Sequence, residues 1–412
     1  MSRLFVTLLA LLMLMPATLP VSAQAEGDET LRFEPTPELT VFRSRHYRIH
    51  TNLPRRDVLP FGLHMDELFD QYDRRFRALA PSPVEPMSLY LFDTEQQYNR
   101  FLAENDIDAT HSGGMFFVTH RVEGLATWVG ERSRRQTFEV LQHEGFHQFA
   151  WHTFGPSMPV WLNEGLAQYF ENGVLHDAGM TLGMTSAPRI ELVRRSIRAN
   201  QTLTMVQLMR LTNEQWADTL RSDPDRASLL YAQAWSVVYF LIHADQGEHK
   251  PKLIDYLTRL SNGDRPDDAL LMAFGNDGLS TLAGDWRAYA LAQQTDDVAQ
   301  ASDRLVFLGT GLRVLAEQGE AMPEDLDELQ QTLQRYGFTM RTREMGVTQE
   351  YSADREESFQ FSRGSSDRDF VLLAPERSGL PPRITAPGLD PQPTLIWYRD
   401  ADGQLVQDIS YR

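Results

Sequence analysis

The chain has 412 residues, of which 42% are hydrophobic, a formal net charge of −18 and no cysteine. This length gives room for one large domain or two modest ones, each with an apolar core. The negative charge argues against nucleic acid or an anionic membrane as a partner. The absence of cysteine excludes disulfides and a lipoprotein attachment site.

Residues 1–25 have the pattern of a secretory signal peptide. Arg3 precedes an apolar run from Leu4 to Met15, and small residues follow up to Ala25. The apolar run is short for a transmembrane helix, so cleavage would leave a protein with no stable membrane insertion. An uncleaved anchor is the alternative interpretation. We therefore expect an exported bacterial protein, periplasmic or secreted.

Residues 40–131 are predicted to be rich in strands. Alternation over Arg45–Asn52 predicts a half-buried strand, a helix is expected at about 60–80, and Met87–Phe92 is a second strand. Two more strands are expected at Met115–Thr119 and Leu125–Val129. These two strands either include the edge of the sheet near a functional site or form an ordinary hairpin. The region as a whole predicts a small mixed sheet ahead of the helices.

The motif His143-Glu144-Gly145-Phe146-His147 lies in a predicted helix over about 134–152. Ser133 and Gln136 form a capping box in front of it. Residues four apart on a helix share one face, so both imidazoles can reach one metal ion. Glu144 is the next residue round the helix and is placed to hold a water on that ion. A pair of surface histidines is the alternative interpretation.

A second helix supplies the best candidate for a third metal ligand. Gly155-Pro156 breaks the chain, and Pro159 can stand in the first turn of the helix that follows. Glu164 lies on the same face as apolar residues, where an isolated carboxylate is costly to bury unless its charge is compensated. Two imidazoles and one carboxylate suit Zn²⁺ with an open coordination position.

The remaining chain divides into a helical region and a small terminal module. Residues 132–295 are predicted to be helical, so the main domain runs over 26–295. The polar stretch Asp296–Ser302 predicts a boundary, and residues 303–412 predict a small α+β module. The module has two helices within 303–335, a loop at 375–393, and strands at Phe359–Phe361, Phe370–Leu373, Thr394–Tyr398 and Leu405–Ile409. The fold class predicted for the whole chain is α+β.

His143-Glu144-Gly145-Phe146-His147 followed by Trp161-Leu162-Asn163-Glu164-Gly165-Leu166-Ala167 resembles the gluzincin metallopeptidases, the thermolysin-like and M1-like clan. The closest resemblance is to the peptidase MA-like bacterial proteins of the DUF1570 type, over about residues 40–260. The resemblance implies a zincin-type catalytic domain in which His143, His147 and Glu164 bind zinc and Glu144 is the general base. It also implies a peptide or protein as the substrate, and it leaves the oligomeric state open.

Two departures from the clan affect the expected activity. M1 aminopeptidases carry a glutamate that holds the substrate's free amine, but the corresponding stretch here is Gly113–Phe117 and has no acidic residue. The resemblance therefore implies an endopeptidase. In thermolysin-like enzymes an aspartate four residues after the third ligand orients a zinc-binding histidine. Gln168 stands at that position and is expected to accept the same hydrogen bond without a charge.

Hydrolysis of an amide also needs a donor for the oxyanion. By resemblance to M1-like enzymes, Tyr231 is the candidate, and Tyr169 is the alternative. Two other functions remain open at the level of sequence. One is a zinc amidase acting on a cell-wall or other non-protein amide, and the other is a catalytically inactive, peptidase-like binding protein. The intact Glu144 argues against the inactive form.

Overall fold

The computed structural model describes residues 38–79, 81–107, 112–130, 132–361, 370–400 and 403–412. The predicted signal peptide, residues 1–25, lies outside these described residues. The predicted fold class is confirmed, because a small sheet is followed by a helical middle and then by a C-terminal module with its own strands.

The first sheet has five strands in the order β1-β2-β3-β5-β4. Their bounds are β1 (Thr40–Arg43), β2 (Tyr47–Thr51), β3 (Met87–Phe92), β4 (Gly114–Val118) and β5 (Glu123–Trp128). The central strands β2, β3 and β5 are parallel, and the outer strands β1 and β4 are antiparallel to their neighbours. The sheet is therefore mixed, as predicted, and β4 forms an edge.

Helices α1 (Arg55–Phe76) and α2 (Glu95–Glu104) connect the first strands, and α1 packs against α3 (Arg134–Phe154). The predicted capping box of α3 is present, since Ser133 and Gln136 exchange hydrogen bonds. Helix α3 ends at Gly155, whose φ of 66° favours glycine. Helix α4 (Val160–Glu171) follows Pro159 and leads into the hairpin β6 (Val174–His176) and β7 (Gly179–Thr181).

Seven helices form the middle of the chain: α5 (Ala187–Arg198), α6 (Met205–Met209), α7 (Asn213–Ser222), α8 (Pro224–His243), α9 (Lys250–Ser261), α10 (Pro266–Phe274) and α11 (Asn276–Ala292). The stretch Pro224–Gly247, which contains α8, has the length and apolar composition of a membrane span. However, 78% of its apolar window is buried inside the fold, as in the core helix of a soluble protein. Helix α8 packs along α4.

The C-terminal module contains α12 (Asp297–Gln318), α13 (Leu326–Arg335), β8 (Thr339–Glu344), β9 (Val347–Ser352), β10 (Val371–Leu373), β11 (Arg383–Thr385), β12 (Pro393–Arg399) and β13 (Leu405–Tyr411). Strands β10 to β13 form an antiparallel sheet, and β8 pairs with β9 in a separate hairpin. One apolar core is formed mainly by residues from Tyr47 to Ala290 of the sequence, and another is formed by residues from Ala301 to Trp397.

One sequence-based expectation for the module is corrected, and one hairpin is not predicted. The predicted boundary at Asp296–Ser302 coincides with the start of a helix, because Asp296 caps α12 and the other residues form its first turns. Phe359–Phe361 is not a strand, since a short 3₁₀ turn at Glu356–Ser358 precedes it. The sequence pattern also does not predict the β8–β9 hairpin, because its exposed strands carry mostly charged and polar side chains.

Candidate metal centre

The side chain of Gln142 joins the two helices that carry the predicted ligands. Its Nε2 donates to the carbonyl oxygens of Phe170, Glu171 and Gly173 at 2.7, 2.8 and 2.9 Å. Phe170 and Glu171 are the last residues of α4 and Gly173 follows it, at a helix end where carbonyls lack the usual N–H four residues on. Because Gln142 is next to His143 in α3, the same contact fixes the distance between the ligand-bearing parts of both helices.

The structure brings His143, His147 and Glu164 together in the interior. Nε2 of His143 lies 3.4 Å from Oε2 of Glu164, and Nε2 of His147 lies 3.6 Å from the same oxygen. All three side chains are buried, and one ligand atom of each lies within 4.8 Å of the others. The three side chains therefore present two nitrogens and one oxygen to a common point that could hold a metal ion.

The other ring nitrogen of each histidine is held by a neighbouring side chain. Nδ1 of His143 lies 2.9 Å from Glu171 Oε2, and Nδ1 of His147 lies 3.1 Å from Asn163 Oδ1. Since a carboxylate only accepts hydrogen bonds, Nδ1 of His143 carries a proton, and Nε2 is the nitrogen that faces Glu164. Metal-binding histidines are commonly oriented by such partners.

The expected role of Gln168 is corrected by this arrangement. Within the described part of the chain, Oε1 of Gln168 has no hydrogen-bond partner, and Glu171 holds His143 instead. Positions 168 and 171 lie four and seven residues after Glu164, so both fall on its helix face. Of the two side chains, Glu171, seven residues after Glu164, is the one that reaches Nδ1 of His143. Arg189 in turn donates to the other oxygen of Glu171 at 3.2 Å.

Glu144 lies beside the candidate ligands and faces the edge strand. Its Oε2 accepts a hydrogen bond from the backbone N–H of Phe116 in β4 at 2.8 Å. Its Oε1 is buried and has no partner among the described residues. Burial raises the pKa of Glu144 to about 6, against the opposing effect of the two imidazoles and the Phe116 N–H. The edge strand therefore orients one oxygen of this carboxylate and leaves the other free.

The charges at the site fit a bound cation. Burial opposes the charged form of Glu164, but the nearby imidazoles outweigh it and lower the pKa of Glu164 to about 2. For His143 burial also opposes the charge, and Glu164 and Glu171 outweigh it and raise the pKa to about 10. Neither oxygen of Glu164 has a hydrogen-bond partner in the described ranges. A buried carboxylate with two free oxygens beside two imidazole nitrogens is the donor set that a divalent cation such as zinc requires.

The two tyrosines considered as oxyanion donors lie in different surroundings. Burial raises the pKa of Tyr231 well above its usual value, and the Glu164 carboxylate adds to this effect. Its phenol therefore stays protonated and can donate a hydrogen bond. The hydroxyl of Tyr169 instead lies 3.0 Å from Nε2 of His243. Of the two, Tyr231 is the one whose pKa the Glu164 carboxylate affects.

Several groups around the centre could not be identified from sequence. Asn163 lies within the second motif, Trp161–Ala167, but only its neighbour Glu164 is predicted from the sequence to be a metal ligand. Glu171 and Arg189 lie outside the motifs, and a buried carboxylate with a buried guanidinium becomes visible only once α4 and α5 are packed.

Residues 76–292 match the family model described as the Peptidase MA superfamily. The match covers just over half of the 412-residue chain and includes α3 to α11, with every candidate ligand and both tyrosines. A search of the curated proteins found no match.

Proposed function

Because the chain belongs to the peptidase MA superfamily, we propose that it is a zinc-dependent metallopeptidase that cleaves internal peptide bonds. One observation carries the proposal. Two buried imidazole Nε2 atoms lie 3.4 and 3.6 Å from one oxygen of Glu164, and the Glu144 carboxylate adjoins them with one oxygen free. These are the ligands and the base that amide hydrolysis by a metal-activated water requires.

His143, His147 and Glu164 would hold the zinc ion, which supplies Lewis acidity for the water and the scissile carbonyl when bound. Glu144 accepts the proton of the attacking water and later passes it to the leaving amine. Its pKa of about 6 leaves it mostly ionised at neutral pH, so it begins the cycle as a base. Tyr231 donates a hydrogen bond to the oxygen that becomes negative.

The preference for internal bonds rests on strand β4. Its five residues, Gly114–Val118, include no acidic side chain that could hold a substrate's free amine. Since the N–H of Phe116 points to Glu144 and away from β5, the free edge of β4 faces the centre. An extended peptide can pair with such an edge through its backbone. Preferential release of single N-terminal residues would contradict this part of the proposal.

The metal content of the purified chain tests the proposal. Elemental mass spectrometry should find about one zinc per chain, and Glu164→Ala should lose it. Glu214→Ala changes an exposed helical glutamate and serves as the control that should keep the zinc. A protein that binds no metal, even after zinc is added, would overturn the mechanism.

A substrate panel separates the proposed peptidase from a zinc amidase. Unfolded casein should be cleaved and peptidoglycan fragments should not, and a chelator should stop the cleavage. We also propose that the protein is exported to the periplasm or secreted, with a peptide or protein as its substrate. Fractionation of the producing cells tests the location.

A further inference from the structure

A cavity of about 410 Å³ lies beside the metal centre. Gln168, Glu171 and Tyr231 line it on the side of the centre, and residues 341–345 of β8 and the following turn line it on the other side. Glu171 also contacts His143, so a single side chain separates the cavity from a candidate metal ligand. A group bound in the cavity would therefore lie close to the reacting bond.

Arg189 lines this cavity with hydrogen-bond donors that have no acceptor. It is 3% exposed, and its Nη2 donates to Glu171 at 3.2 Å. Its Nε and Nη1 are buried and unpartnered in the part of the chain that the structure describes. A buried donor left unpaired costs about 1–3 kcal/mol. A group in the cavity that accepts hydrogen bonds would remove this cost.

The charge of the cavity wall is close to balanced, so the wall does not repel an anion. Five arginines line it, namely Arg132, Arg135, Arg189, Arg341 and Arg343. Four carboxylates accompany them, namely Glu139, Glu171, Asp303 and Glu344. These groups sum to +1, but Arg341 also pairs with Glu350 outside the lining at 2.6 Å, so the wall is close to neutral in a chain whose formal charge is −18. Desolvation raises the pKa of the half-buried Asp303 to about 6, which lessens its negative charge below neutral pH.

We propose that this cavity is a subsite for a carboxylate of the peptide substrate, and that Arg189 donates hydrogen bonds to it. The inference rests on the proposed peptidase activity and adds a substrate preference to it. In internal cleavage an acidic side chain near the cleaved bond supplies this carboxylate. A C-terminus presents the same acceptor oxygens, but its recognition beside the reacting bond would replace internal cleavage by carboxypeptidase action. Arginine binds this group more strongly than a neutral acceptor because both partners are charged.

The C-terminal module contributes one wall of the subsite. Ser186, at the start of α5, donates to Glu344 of β8 at 3.2 Å. Asp296, at the start of α12, accepts hydrogen bonds from the backbone and side chain of Thr185 at 2.8 and 2.9 Å. These contacts hold the module against the helix that carries Arg189. The module therefore acts in substrate selection under this proposal.

Matched peptides test the preference on the unmodified protein. One pair differs in a free or amidated C-terminus, and a second series differs in Glu or Gln at each position around the cleaved bond. Removing the recognised carboxylate should lower kcat/KM by about 10- to 100-fold, mainly through KM. A loss on amidation identifies the C-terminus, and a loss on Glu-to-Gln exchange identifies a side chain. Equal cleavage of all peptides would overturn the inference.

The same peptides can be bound to Glu144→Gln and measured by calorimetry, which does not depend on turnover. If no peptide is cleaved by the unmodified protein, the proposed function fails, but a carboxylate-dependent affinity for Glu144→Gln would still support the subsite. Equal affinity for acid and neutral peptides would overturn the subsite even if the protein is an active peptidase.

Arg189→Gln should abolish the discrimination between acid and neutral peptides. Arg195→Gln, which changes an exposed arginine on the same helix, should keep it. Because Arg189 also holds Glu171, zinc content and thermal melting are measured on each variant. Arg189→Lys provides a second variant that keeps the positive charge near Glu171 and should retain part of the preference. An unchanged preference in a folded Arg189→Gln protein would contradict the proposal.

Discussion

The Glu171 carboxylate accepts a hydrogen bond from Nδ1 of His143 at 2.9 Å, across the interface between α4 and α3. The bond fixes the tautomer of the imidazole, so that Nε2 is the nitrogen free to bind a metal. Glu171 is itself fixed by Arg189 at 3.2 Å and by the contact of its backbone carbonyl with Gln142. The orientation of one candidate ligand thus depends on three other side chains.

Glu171→Gln should weaken zinc binding while the protein stays folded. The amide oxygen can still accept from Nδ1, but the loss of the negative charge makes the imidazole less basic. Partners of this kind typically change metal affinity by about 10- to 100-fold. Competition with a chelating dye measures the affinity. Gln168→Ala is the control, and a larger effect there than in Glu171→Gln would contradict the assignment.

Glu144→Gln should keep the metal and lose most peptide hydrolysis. The amide cannot accept a proton, and a general base typically contributes about 10²- to 10⁴-fold to the rate. Metal analysis and cleavage of a fluorogenic peptide should be run on the same preparation. The exposed substitution Glu214→Gln should change neither quantity. Full activity in Glu144→Gln would show that another group acts as the base.

Tyr231→Phe should lower kcat by about 10²-fold with little change in KM, because the hydroxyl is needed only as the oxyanion forms. Tyr169→Phe removes a hydroxyl that lies near His243 and should leave kcat close to its original value. Steady-state kinetics on one peptide compares the two variants. Equal losses of kcat in both variants would contradict the assignment of Tyr231 as the oxyanion donor.

Gly165→Ala should destabilise the fold and disturb Glu164. A methyl group there would lie 2.6 Å from Val238 Cγ2 and 2.7 Å from the Ala234 carbonyl oxygen. Overpacking of this kind costs about 1–3 kcal/mol. Gly284→Ala, in α11, is the matched control, since a methyl group there meets nothing within 4 Å. Denaturant unfolding should show a lower free energy of unfolding for Gly165→Ala and a slightly higher one for Gly284→Ala.

Asp303→Asn should stabilise the protein more above neutral pH than at pH 5. Burial raises the pKa of Asp303 to about 6, from an ordinary value of 3.8. Between these values the folded state binds more protons than the unfolded state, so the free energy of unfolding falls as pH rises. Asparagine resembles the protonated acid and removes this loss, so the stabilisation at pH 8 should exceed that at pH 5 by on the order of 1 kcal/mol.

The charged and titratable groups around Asp303 come from several elements: Arg135, Glu139, Asp296, Arg304, Glu344, Tyr351 and Tyr411. Thermal melting of both proteins at pH 5 and pH 8 tests the prediction. An equal difference in melting temperature at the two pH values would contradict it.

The central motifs and the element order could be predicted because they are local in sequence. His143 and His147 need only helical spacing, and the capping box at Ser133 places the helix around them. Glu164 required one more argument, the cost of a carboxylate on an apolar face. The structure places Glu164 near both histidines, as that argument predicts, and metal binding itself remains a prediction.

The partner of His143 could not be predicted because helical periodicity puts both Gln168 and Glu171 on the face of Glu164. The choice between them depends on how far α4 is shifted along α3, which the Gln142 amide sets through contacts with α4 carbonyls. The contact between Arg189 and Glu171 could not be predicted for a related reason. Its partners come from other helices, and sequence spacing carries no information about them.

The order of the chain has a consequence for how the centre acquires its ion. During synthesis the helices with His143, His147 and Glu164 leave the ribosome long before residues 341–345, which close one side of the adjoining cavity. Regions near the N-terminus generally fold first. In an intermediate that lacks the folded module, the centre is open on that side. Under the proposals above, zinc binding would precede the docking of the C-terminal module, and the cavity would select substrates only after the last part of the chain has folded.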